Sequence, residues 1–205
     1  MMMQPMLRPV KIGLFFGLLC LLFGIFWAAY LTVNHEGIHR DLADRERARL
    51  EETFLLSSPK AKPAPQPHEH GAHPHDKTEA QTVKAEAIHG DHGGHDNPLI
   101  AEAHERLTRG HIHAMGLGLV SIAVSLILVF VSARLMIKTF ASACVGVGGF
   151  FYPFAWIIMG YRTASIGSEA AAKSVVPIVA FSVSLVAIGI LISMFYIVMA
   201  IVKAD

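Results

Sequence analysis

The chain has 205 residues, of which 53% are hydrophobic and only 16% charged, whereas an average soluble domain is about one quarter charged. The charges leave four stretches wholly empty, 12–34, 114–133, 139–161 and 175–202, which excludes a single soluble globular domain. A net charge of +1 also offers no electrostatic footprint for nucleic acid.

Each empty stretch supplies the roughly 20 apolar residues that a helix needs to cross about 30 Å of hydrocarbon. A helix satisfies its own backbone polar groups in lipid, and the alternation of a membrane β-barrel is missing. The expected fold is an all-α integral membrane protein: a four-transmembrane-helix bundle with a disordered, His-rich outer loop. Its partners are the lipid bilayer and a membrane protein or larger complex.

In chain order, residues 1–11 form a cytoplasmic N-terminus and 12–34 the first transmembrane helix. Arg8 and Lys11 precede that run as in a signal peptide. It exceeds the roughly 7–15 residues of a signal core, however, and no A-x-A-like site follows, so it reads as an uncleaved anchor. Residues 35–56 read as a charged outer helix, with Asp41 and Arg45, and Arg47 and Glu51, at the i,i+4 spacing of ion pairs. Gly37 weakens continuity with the first span by about 1 kcal/mol.

Residues 57–96 form a Pro/His-rich linker with five prolines and four glycines. So little apolar surface cannot offset the entropy of ordering, which predicts disorder. Asn97-Pro98 then provides an N-cap and a proline at the first helical position. An amphipathic helix over 97–113 leads into the second span at 114–136, with a bend expected at Gly110. The third span is 139–161, followed by an outer loop at 162–174, the fourth span at 175–202 and a cytoplasmic C-terminus at 203–205.

Arg8, Lys11, Arg134, Lys138 and Lys203 all fall on one side of these four spans. The positive-inside rule makes that side cytoplasmic. It places 35–113 on the outer, periplasmic face of a bacterial inner membrane.

Within the spans, Gly13-x-x-x-Gly17 and Cys144-x-x-x-Gly148 are patterns that let helices approach closely. Pro153 sits among Phe150, Phe151, Tyr152, Phe154 and Trp156, which read as an aromatic belt or as one wall of a cofactor or quinone pocket. Cys20 and Cys144 lie inside spans and read as small apolar fillers. No Asp, Glu, Lys, Arg or His occupies the middle of a span, which argues against a pump or transporter built from this chain alone.

All twelve histidines lie between residues 35 and 113. His68, His70, His73, His75, His89, His92 and His95 belong to the linker and offer loose, interchangeable metal capture. His35, His39, His104, His111 and His113 are anchored beside the first two spans and are the candidate ligands of a fixed metal site, two from the first helix and one or two from the second. His35 and His39 are one helical turn apart on one face, a standard spacing for two ligands of one ion. His104 and His111 share a face about 10 Å apart, too far to bind one ion directly. His35, His39, His111 and His113 are expected at one depth.

The preferred function is non-enzymatic: binding or delivering copper or zinc at the outer face, as an accessory to a partner complex. One alternative is a b-type haem subunit of a respiratory complex. Its axial ligands would come from His35, His39, His111 and His113, and its walls from Trp27, Tyr30, Phe154 and Trp156. Another is a structural subunit with no cofactor. His35-Glu36-Gly37-Ile38-His39 also matches the H-E-x-x-H zinc-protease pattern, a weak match with no catalytic domain around it.

Overall fold

The computed structural model describes residues 7–57 and 97–203, which form helices joined by short turns. A 3-10 turn at Arg8–Val10 leads into α1 (Lys11–Val33), and α2 (His35–Ser57) follows directly. The remaining helices are α3 (Pro98–Phe130), α4 (Leu135–Ile166) and α5 (Ser168–Val202). Four of the five, all but α2, are long and apolar enough to cross a membrane. The described residues are all-helical, and the four long apolar helices make the chain a multi-pass membrane protein. Apart from Ser57, the linker lies outside the described residues, and so does its expected disorder.

At 1.5 Å per residue, α3, α4 and α5 are each about 50 Å long, well beyond the hydrocarbon thickness. The surplus stands on the side opposite the start of α1 and the end of α5, where α2 packs on the start of α3 and the end of α4. Ile38 and Leu42 of α2 bury there against Ile100, Ala103 and Leu107 of α3 and Ala164 of α4. The break between α1 and α2 is a single residue. Asn34 still donates its N–H to the Tyr30 carbonyl, and Ile38 N–H still reaches Asn34, both at 2.9 Å.

Inside the membrane, α4 is the central helix. Half of its most apolar window is buried, against 11% for α5, which packs almost solely on α4. Small residues make this possible. A Cβ on Gly148 would lie 2.6 Å from the Ser182 carbonyl oxygen of α5, so the two backbones are already in contact. On the opposite flank Gly146 lies against Gly13 of α1, with Ser121, Ser125 and Ser142 around the crossing. Cys20 does more than fill space. Its thiol lies 3.1 Å from the Ala114 carbonyl and 3.5 Å from that of Gly149. Pro153, four residues beyond Gly149, supplies no N–H for that second carbonyl.

Three features differ from the sequence expectation, two boundaries and one bend. The loop expected at 162–174 is helix on both sides of one residue, Gly167, whose φ of +85° reverses the chain. Arg106 of α3 clamps this turn, donating to Thr163 Oγ1 at 2.7 Å and Ser168 Oγ at 2.8 Å. The second span stops at Phe130 rather than 136, where Val131 turns extended and Lys138 Nζ donates to the Val129 carbonyl at 3.1 Å. Gly110 lies within an unbroken α3. A Cβ there would come 2.8 Å from Ile157, so this glycine serves close approach to α4 instead of a bend.

Candidate metal centre

The site follows from the register of α1 against antiparallel α3. Gly17 sits beside Gly118, and Gly24 beside Ala114 and Met115. One step further out, Trp27 Nε1 donates to the Leu107 carbonyl at 3.0 Å. Continued outward, this register brings the start of α2 level with His104. The start of α3 is fixed independently. Asn97 accepts from the Leu99 N–H at 3.0 Å, and its amide donates to the Glu46 carboxylate of α2 at 2.6 Å.

One ligand nitrogen each from His35, His39 and His104 lies within 4.8 Å of the others. The ring centroids are 4.5 Å apart for His35 and His39, 4.8 Å for His39 and His104, and 5.1 Å for His35 and His104. Tetrahedral nitrogen ligands at zinc stand about 3.3 Å from one another, so small side-chain rotations would close this set on an ion. His104 Nε2 is buried with no hydrogen-bond partner. Burial, and then the neighbouring His35, hold the His104 pKa below the ordinary imidazole value. The ring is therefore uncharged at neutral pH, the state that offers a lone pair to a metal.

The other anchored histidines separate. His111 shares a groove of about 530 Å³ with His35, His104, Thr32 and Thr108. It lies level with Ala28, two turns deeper than the cluster, and its Nδ1 is buried without a partner. His113 faces the other way. Its ring stacks on Trp156 at 5.2 Å and meets Tyr152 edge-on at 5.1 Å. The expectation that His35, His39, His111 and His113 share one depth is thus corrected. That expectation aligned the ends of the charge-free stretches, whereas small-residue packing slides α3 by about two turns.

The aromatic residues considered for haem also divide. Trp27 stacks with Phe23 and Tyr30, and Phe154 packs on Phe23, all on the α1 flank. Trp156 lies with His113, beneath the Arg109 guanidinium. Within the H-E-x-x-H pattern, Glu36 is almost fully exposed and pairs with Arg40 at 3.4 Å. The seven linker histidines lie outside the described residues. The His104 partnership depends on the helix register that Gly17, Gly24 and Gly118 set together across α1 and α3.

Gly37, between His35 and His39, faces open space: a Cβ at this position would find nothing within 4 Å. Gly37→Ala should therefore stabilise α2 by about 0.5–1 kcal/mol through the unfolded-state entropy it removes. Denaturant unfolding followed by helical circular dichroism measures this, and a loss of stability would show that the position is not open.

Compared with protein-family models, curated proteins and solved structures, the chain matches none.

Proposed function

We propose that the chain binds copper or zinc through His35, His39 and His104 on the outer face of a bacterial inner membrane, and holds or delivers the ion as an accessory to a membrane complex. The observation that carries this reading is the convergence of three imidazole nitrogens from two helices within 4.8 Å. Imidazole suits both metals. The seven histidines of the linker collect ions and raise their concentration beside the cluster, since both belong to one chain.

The ring geometry favours a single ion over haem. Axial ligation of a macrocycle needs two imidazoles facing each other across a slot. Here the three rings contact one another, and His113 is turned to Trp156.

The test is metal analysis and a visible spectrum on one sample of untagged, full-length protein in mild detergent. About one tightly held copper or zinc per chain is expected, with no Soret band. Deleting 60–96 should remove the loosely held ions and leave the tight one. A Soret band with sharp α and β bands would replace this reading with a cytochrome subunit.

A further inference from the structure

A second site lies on the opposite side of α3. His113 is nine residues from His104, which is two and a half helical turns, so the two rings leave the helix on opposite faces. Because α5 packs on α4 and scarcely meets α3, a cleft remains between α3 and α5 with α4 as its floor. This cleft holds about 320 Å³ and is lined by His113, Leu117, Tyr152, Ser182, Val183 and Val186. A second hollow of about 310 Å³ adjoins it beyond Tyr152 and is walled by apolar residues and Trp156.

Most of the lining is aliphatic, and the cleft opens sideways at the depth of the charge-free stretches, towards hydrocarbon. Its polar groups are the anomaly. Ser182 is fully buried and its hydroxyl has no partner. No bulk water reaches this depth to serve it. An acyl chain filling the cleft would bring no acceptor either. The His113 ring is held in place by its stack on Trp156, over which Arg109 lies at 5.3 Å. A mostly apolar pocket with a few fixed hydrogen-bonding groups is the usual form of a small-molecule site between bundle helices.

We propose that this cleft binds the ring of a lipid-soluble quinone. Its two carbonyl oxygens accept from the His113 ring N–H and, after a rotation about one bond, from the Ser182 hydroxyl. The ring lies against Tyr152, and the apolar tail leaves through the cleft mouth or the adjoining hollow. A quinone supplies both acceptors and the flat apolar body that these walls fit, and the site stands whether or not the metal centre binds an ion.

The experiment titrates the full chain, in phosphatidylcholine nanodiscs, with a decyl-substituted benzoquinone and follows tryptophan fluorescence. Saturable quenching is expected that persists in Trp27→Phe and disappears in Trp156→Phe. Ser182→Ala removes only an unpartnered hydroxyl and should weaken binding by about five-fold, as should His113→Phe. His113→Gln, which keeps a donor, should restore most of the affinity. Decylbenzene, with the same tail and no carbonyl, should not compete. Quenching that rises linearly with quinone, saturation indifferent to Ser182→Ala and His113→Phe, or equal competition by decylbenzene would each overturn the proposal and make the cleft a seat for acyl chains.

Discussion

Replacing His104 with alanine is expected to weaken copper or zinc binding by at least about 100-fold, measured by competition against a chromophoric chelator. Even changes to groups that merely orient a ligand cost about 10–100-fold at metal sites, and His104 is the only member of the cluster contributed by α3. Without it, His35 and His39 remain as a two-ligand pair at the start of α2. The comparison that gives the result meaning is His111→Ala. That ring shares the groove but lies two turns deeper, so its removal should leave the affinity nearly unchanged. Both variants belong in a chain lacking 60–96, where linker histidines cannot mask the loss. Equal losses in the two variants would move the ion into the groove, and no loss in either would move it to the linker.

Gly13→Val should cost about 3 kcal/mol of stability, near the upper end for overpacking a close-packed interior. Its new Cβ would collide with the Ser125 and Ser142 hydroxyls and come 2.6 Å from the Ser142 carbonyl oxygen. That carbonyl belongs to the backbone of α4 and cannot swing aside. The same crossing holds Ser121 Oγ to the Gly13 carbonyl at 2.9 Å and Ser125 to Ser142 at 2.9 Å, so α1 would be levered from both α3 and α4. Gly116→Val is the matched control, because nothing lies within 4 Å of that position. Detergent-titrated unfolding should separate the two variants clearly. Similar midpoints would mean that α1 is not seated at Gly13.

The spans are legible in the sequence because charge cannot rest in hydrocarbon, and that constraint writes itself directly into the chain. The start of α3 is legible for a local reason too, since Asn97 and Pro98 carry the cap within two residues. The helix register is not. It depends on how Gly17, Gly24 and Gly118 fit one another across two helices, and no property of either stretch alone reports that fit. Hence spacing alone pairs His35 with His39 but does not bring His104 to them. The turn at Gly167 is hidden for another reason. Arg162, Glu169 and Lys173 mark where the membrane ends, not where a helix ends. Cys20 reads as filler until the carbonyl freed by Pro153 is seen beside it.

The one-residue turn at Gly167 also bears on how the chain enters a bilayer. Between the apolar stretches of α4 and α5, only Arg162, Glu169 and Lys173 carry formal charge, and the last two pair with each other at 2.6 Å. Such a helical hairpin can partition into lipid as one unit, with almost no hydrophilic load to drag behind it. On the proposed topology, with 35–113 on the outer face, the segment between α1 and α3 is the opposite, a long charged and histidine-rich stretch that must be threaded across before α3 can seat. The two halves of the chain therefore make unequal demands on the insertion machinery, and the costly half is the one that bears the histidines.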